Sequence, residues 1–503
     1  MQREYNVDAA IIGAGTSGMT AYRILKKAGL SVLLIEKGAF GTTCARVGCM
    51  PSKLLISAAE RMVDLKSSYN FGFESMIKPD MDRIFERVRT ERDRFVKFTT
   101  DYVAEIPKNE ILKKVVYFDD DGVLSTFSGI KIHAKFYLVA TGSQPTFPNE
   151  FEIKQTTNTQ GDDDYIYQGS LFTSDTIFER KFRAEEHISV VGAGVIGLEL
   201  GQAFDELGIH TTIFGRNNQI SNLTDPEVSG YAKEFFKNKL QNFYPNSEIT
   251  KYKSTLEANG EYINWIFYKD LDNQDANDAT LEDETSNEII KGVKTFSDAT
   301  LVASGRKPNI AVLKLHNTGV GFTEGLPNFD AETMFCLNDQ NEPVNILIAG
   351  DCTGERPLLH DAADEGRAAA ENIIRVINNE PIQRRYMGPP VTITFTNPGI
   401  ATVGYSFSQI KDYLDDVKIG FASFEDQGRS RILHKNSGLI KVYADKKTDL
   451  FLGAEMICSD AEHFAHTLSW ALGAGMTIGQ MLQLPFYHPT TFEGVRTALR
   501  NCL

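Results

Sequence analysis

The sequence predicts an α/β chain of several domains. Two observations carry that expectation: a strand, glycine turn, helix, strand unit near the N-terminus, and a second copy of it beginning near residue 187. Composition agrees. The chain has 503 residues, 42% hydrophobic and 24% charged, an ordinary balance for packed cores rather than disorder. At ~150 residues per domain, that length suggests about three domains.

The first unit is VDAAIIGAGTSGMTAYRILKKAGLSVLLIEKG. Val7 to Ile12 is a short apolar run suited to a buried parallel strand. Gly13, Gly15 and Gly18 follow as G-x-G-x-x-G. The first permits a tight turn, the second lets a pyrophosphate approach the backbone, and the third lets helix and strand pack closely. A second strand, Ser31 to Ile35, ends in Glu36, whose carboxylate suits the two hydroxyls of a ribose.

The second unit places Gly192, Gly194 and Gly197 between a strand and an amphipathic helix, followed by the strand His210 to Phe214. Its terminal acid is missing: Gly215 stands there and Arg216 comes next. A carboxylate would repel a 2′-phosphate, whereas glycine and arginine leave room and charge for one, which leans toward NADP(H). Two units imply two bound dinucleotides. A resident flavin and an exchangeable nicotinamide would allow a hydride to pass between them.

The net charge of −15 argues against nucleic-acid backbones and anionic membranes as partners. No apolar run approaches the ~20 residues of a membrane span. The N-terminal residues match neither a secretory signal nor a transit peptide, so a cytoplasmic setting is expected. There, a disulfide is usually catalytic or regulatory.

The cysteines are Cys44, Cys49, Cys336, Cys352, Cys458 and Cys502. Only the first two are close neighbours, in FGTTCARVGCMPSKLLI. Half of a metal site, two inert core residues or a working disulfide all fit that spacing. Zinc would need two more ligands at comparable spacing, and none is supplied, so no metal is expected. Cys502 is either a mobile second thiol or incidental.

With these stretches in order, and with LVATGSQP, GAGVIGLELG, ASGRKPN, ILIAGDC and YHPTTFEG behind them, the chain resembles the pyridine nucleotide-disulfide oxidoreductases. Within that family dihydrolipoamide dehydrogenase is most similar. The resemblance implies two Rossmann-like domains, one for FAD and one for NAD(P), plus a C-terminal α+β dimerisation domain. It implies FAD held by Gly13, Gly15, Gly18, Glu36, Lys53, Thr141, Gly142 and Asp351, and NAD(P) by Gly192, Gly194, Gly197, Arg216 and Gly305. Lys53 would sit beside the flavin and pair with Glu199. Cys49 would be the flavin-facing thiol, and Cys44 the thiol that exchanges with substrate. His488, oriented by Glu493, would be the base and would reach the cysteines of the other subunit of a homodimer. The substrate implied is a small dithiol or disulfide, with a lipoyl domain among the candidates.

Cys49 is expected to open a helix with an apolar face of Leu54, Leu55, Ala58 and Met62. The free N–H groups of that helix would lower the Cys49 pKa. The domains expected are FAD-binding over 1–150, NAD(P)-binding over 151–306, a return to the FAD domain over 307–379, and dimerisation over 380–503. Lys154–Gly169 reads as a polar surface excursion, and Asp270–Glu288 as a solvated acidic loop between hairpin strands.

Two departures stand out. The family has asparagine where Arg46 stands and glycine where Thr42 stands. Arg46 reads either as a charge that lowers a thiolate pKa or receives an anionic substrate group, or as a solvated or ion-paired arginine. Val195 stands where glutathione reductases carry tyrosine, and the chain end has one cysteine where mercuric reductases carry a vicinal pair. The main alternative is an NADPH-dependent reductase of another disulfide or of mercuric ion. Beyond it lie a non-catalytic scaffold subunit, which the full set of reactive residues opposes, and a thiol sensor.

If Arg216 selects the 2′-phosphate, Arg216→Glu should raise the KM for NADPH about tenfold or more and leave that for NADH near its parent value. An unchanged preference in steady-state kinetics removes Arg216 from the argument.

Overall fold

The computed structural model describes residues 4–74, 77–151, 154–157, 163–166, 170–183, 185–257, 260–273, 280–283 and 288–503. β1 (Glu4–Ile12) turns through Gly13 into α1 (Thr16–Lys27), and the chain returns as β2 (Val32–Ile35). β1 lies between β2 and strand Lys131–Val139, all three parallel. Its Ala9–Ile12 end is buried, as a run without alternation predicts for a strand covered on both faces. Pro343–Ile348 adds a parallel strand beside Lys131–Val139, and Ile111–Leu112 adds one beside β2. A segment past residue 340 thus completes a sheet begun at residue 4.

The second sheet is parallel throughout, in the order Leu171–Thr173, Ala299–Val302, His187–Val191, His210–Phe214, Asn242–Tyr244. A third, antiparallel sheet of five strands runs from Val391–Thr394 to Val417–Ser423 at its edges, with helices Ala461–Gly473 and Glu493–Asn501 packed on it. The chain passes between the first two sheets through the antiparallel ribbon Ser143–Pro145 and Arg306–Pro308. Arg306 locks that ribbon, donating to Ser143 Oγ (2.9 Å), Ser143 O (2.8 Å) and Asp175 Oδ1 (2.9 Å).

The polar excursion holds a short hairpin, Lys154–Thr157 against Asp163–Ile166, with residues 158–162 and 167–169 outside the described part. In the acidic loop, Thr280–Asp283 pairs with Glu288–Lys291, and residues 274–279 and 284–287 lie outside it. That loop does interrupt an antiparallel pair, Tyr262–Asp270 with Val293–Ser297.

After α2 (Thr43–Arg46) comes α3 (Cys49–Ser67), followed by α4 (Met81–Glu105) and, in the second sheet's domain, α5 (Val195–Glu206). The buried face of α3 is Leu55, Ile56, Ala59 and Met62, rotated from the expected Leu54, Leu55, Ala58 and Met62. The reason is tertiary. α3 packs between α4 and α5 in one apolar cluster that also takes in Ile400, Leu439 and Ile457 of the third sheet, so its covered side follows two neighbours and not one.

The glycines of both turns divide into two physical kinds. A Cβ on Gly13 would stand 2.1 Å from Ala140 O, and one on Gly18 would stand 2.0 Å from Gly13 O. Gly192 and Gly197 repeat this, at 2.3 Å from Ala303 O and 1.8 Å from Gly192 O. Gly15 and Gly194 have nothing within 4 Å. The outer glycines serve packing, and the middle ones leave open approach to a helix N-terminus.

Gly197→Ala is therefore expected to lower stability by about 1–3 kcal/mol, because backbone cannot yield as a side chain does. Gly194→Ala should leave Tm unchanged. Thermal unfolding followed by circular dichroism distinguishes the two.

Candidate active site at the joint of three sheets

Cys49 is the first residue of α3, and Gly48 caps it without a side-chain hydrogen bond. Cys44 lies in α2, whose N-cap Thr42 sits at φ 54° and accepts from Ala45 N–H through Oγ1 at 3.2 Å. That cap offsets a left-handed backbone which glycine would enter freely. The two thiols are unbonded, Cys44 partly buried and Cys49 exposed.

The pair titrates as a unit. Cys49 is lowered to about 7, first by the Cys44 thiol beside it, which as donor favours the Cys49 thiolate, then by the charge of Lys53 and by its own backbone N–H. Cys44 is pushed far up, chiefly by the same contact with Cys49 and by burial. The lowered pKa matches expectation, but the helix N-terminus is its lesser cause. Arg46 is not among its leading causes. Its Nη1 donates to Ala39 O at 3.2 Å, and its Cγ and Cδ pack under Gly41, so it braces the loop.

Lys53 stands one turn along α3 from Cys49. Its Nζ donates to Glu199 Oε2 at 2.7 Å, and Glu199 is 3% exposed. The other oxygen, Oε1, accepts from Phe395 N–H at 2.9 Å. The ring of Phe395 lies under the lysine ammonium, 4.6 Å from centroid to Nζ. Lys53, Glu199 and Phe395 thus come from the first, second and third sheets' domains. Sequence reasoning did not find Phe395, because nothing in VTITFTNPG distinguishes it from a strand-end aromatic.

At the first glycine turn, α1 begins with no side-chain cap and no acid in its first turn, a free N-terminus suited to an anion. Glu36 accepts from Ala14 N–H and Gly38 N–H, both at 2.8 Å, which holds its carboxylate against the turn. Asp351 Oδ2 accepts from Ser143 Oγ at 2.8 Å, and Ser143 links on to Arg306. Ser17 Oγ donates to Ala349 O at 3.1 Å, which ties α1 to the Asp351 segment. Gly142 (φ +68°) flanks the ribbon with open space around it, and Thr141 is its buried-oxygen neighbour. These residues fit a dinucleotide.

The second turn is alike: α5 begins at Val195 with no side-chain cap, and Gly305 (φ +114°) is open. Arg216 is exposed, and its side chain bonds no described residue. Gly215 does more than leave room, since a Cβ there would stand 2.8 Å from Ala193 Cβ and 3.0 Å from Pro245 O. A carboxylate side chain at that position would need the Pro245 backbone to move.

His488 Nδ1 meets both oxygens of Glu493 at 3.1 Å, and this contact lowers the Glu493 pKa. The imidazole is exposed, and no hydrogen bond or ion pair among the described residues joins it to either cysteine. Cys502 is 2% exposed, and burial raises its pKa to about 11. It is therefore not a mobile second thiol. Among the described residues no group of His, Cys, Asp and Glu could hold a metal ion, and no helix is long and apolar enough to cross a membrane.

The family model for pyridine nucleotide-disulphide oxidoreductases matches residues 7–366, and that for their dimerisation domain matches residues 391–499. The chain belongs to this family. It is a flavin-dependent disulfide oxidoreductase of the FAD- and NAD(P)-binding kind, with a domain through which such chains form homodimers. It is 26% identical to a mercuric reductase of Lysinibacillus sphaericus, over 98% of this chain and 82% of that one. It is 28% identical to a dihydrolipoyl dehydrogenase of Staphylococcus aureus, over 99% and 96%. Among solved structures, the HOCl-induced flavoprotein disulfide reductase RclA from Escherichia coli superposes with a TM-score of 0.76 at 21% identity, covering 99% of each chain.

In the reduced protein, one proton should leave the pair with a midpoint near 7 and the second far above. The thiolate accumulates as pH rises through that midpoint and is lost below it. Ultraviolet thiolate absorbance against pH measures it, and Lys53→Met should move the first midpoint upward.

Proposed function

We propose that Cys44 and Cys49 are the redox pair of this oxidoreductase, Cys49 being the thiol nearer the flavin and Cys44 the one that meets substrate. The observation that carries the reading is geometric: Cys49 opens α3 one turn before Lys53, whose ammonium is fixed on the buried carboxylate of Glu199, with Cys44 beside it on α2. Exposure alone does not assign their roles. Lys53 does, because it shares Cys49's face of α3 and its charge suits an electron-rich neighbour. FAD would be held by Gly13, Gly15, Gly18, Glu36, Lys53, Thr141, Gly142 and Asp351, and NAD(P) by Gly192, Gly194, Gly197, Arg216 and Gly305. A bound flavin supplies a two-electron carrier between nicotinamide and thiols.

In dithiol oxidation, a substrate thiolate attacks Cys44 Sγ, the Cys44–Cys49 bond breaks, and Cys49 leaves as thiolate. Its low pKa makes it the better leaving group. His488 takes the proton of the second substrate thiol, which then attacks the substrate sulfur joined to Cys44; that S–S bond breaks, and Cys44 leaves and takes the proton back from His488. The substrate leaves as a disulfide, and the pair holds its two electrons. Glu493 fixes the imidazole with Nε2 outward and supports its cation. Because His488 is exposed and unjoined to its own chain's cysteines, we assign it to the site of the other subunit in a homodimer.

The cofactor preference we infer is NADP(H), supported by Gly215 and by Arg216, whose side chain bonds no described residue. Those residues and the mercuric reductase relatives favour a second reading: an NADPH-dependent reductase of another disulfide or of mercuric ion. For substrate, a small dithiol or disulfide, with a lipoyl domain as one carrier, follows from the dihydrolipoyl dehydrogenase relatives. A cytoplasmic setting goes with it. We divide the chain at 150, 306 and 379, supported by the return of Pro343–Ile348 to the first sheet.

Anaerobic addition of NADPH or dithiol to the purified protein should produce a long-wavelength absorbance from a thiolate beside flavin. Cys49→Ala should abolish it, and absence of bound flavin would sink the reading. His488→Gln should lower turnover about 10²–10⁴-fold while the band persists. Turnover on lipoamide, glutathione disulfide and mercuric ion then separates the two substrate readings.

A further inference from the structure

We propose that Phe395 and Gln202 are positioning residues for Lys53, holding its ammonium where it acts on Cys49; this rests on the roles given above to Cys49 and Lys53. A lysine on a flexible four-carbon stem keeps one position only if its surroundings impose it. Phe395 holds both members of the pair, Glu199 through its backbone N–H at 2.9 Å and Lys53 through its ring face at 4.6 Å.

Phe395 is itself held. Gln202, three residues past Glu199 on α5 and 2% exposed, grips the backbone two residues beyond Phe395 at two points. Its Nε2 donates to Asn397 O, and its Oε1 accepts from Asn397 N–H, both at 2.8 Å. A buried amide satisfied on both atoms by one backbone residue sets the register of residues 395–397 on α5. The C-terminal domain thereby determines where the lysine charge of the first domain stands. Around Cys49, the groups that set its titration are Cys44, Lys53, Glu199 and its own N–H. Of these, Lys53 is the one Phe395 touches directly by side chain.

The test uses FAD-loaded protein in a Cys44→Ser background, where the long-wavelength thiolate band reports Cys49 alone, titrated against pH. Phe395→Leu and Gln202→Leu should each raise the midpoint, so that the thiolate-to-thiol ratio at fixed pH falls about threefold. Phe395→Tyr should keep the parent midpoint. Unshifted midpoints in both leucine variants, including with a lowered Tm, overturn the proposal, and Phe395→Leu decides alone if Gln202→Leu does not fold. No band in the Cys44→Ser parent overturns instead the role given to Cys49.

Discussion

Glu199 is a nearly buried carboxylate at a point where all three sheets' domains meet. A charge so placed is expensive unless paired and hydrogen-bonded on its remaining oxygen. Lys53 meets one requirement and the Phe395 N–H the other. Each comes from a different domain, so the docking of those domains and the ionisation of the site are one problem. The apolar cluster around α3 supplies the area that brings them together, and the ion pair sets their register within it.

That arrangement explains the asymmetry of the two cysteines. Cys49 starts the helix that carries Lys53, so any position of α3 that satisfies Glu199 also sets a positive charge one turn from the thiol. Cys44 sits before that helix, on α2, and serves as hydrogen-bond donor to its neighbour. Arg46, the formal charge closest in sequence, is spent on the Ala39 carbonyl. Distance along the chain was a poor guide to which cation matters.

The two dinucleotide turns show how far local pattern reaches. Gly13 and Gly18 face backbone oxygens in the same way as Gly192 and Gly197, and strand, turn and helix follow the spacing of the residues in both. They diverge at the end of the second strand. Glu36 can fold back onto Ala14 and Gly38, whereas Gly215 is packed under Pro245. The sequence showed that the acid was missing, and the structure supplies a steric reason for it. The apolar face of α3 was misjudged by one position because periodicity assumes a single partner surface. Phe395, Gln202 and Arg306 were missed because their partners lie far along the chain.

From the sequence by itself came the doubled strand–turn–helix unit, the paired thiols at a helix start, the His488 and Glu493 spacing, and the family they compose. All are short-range patterns, in which the backbone geometry of a few adjacent residues dictates the residue types. Tertiary structure alone decided which groups face one another beyond the expected Lys53–Glu199 pair: Phe395 with Glu199 across 196 positions, Gln202 with the Asn397 backbone across 195, and Cys502 enclosed rather than free. Such pairings depend on how whole sheets dock. Docking is driven by buried area summed over many residues, and no short stretch of sequence carries that sum.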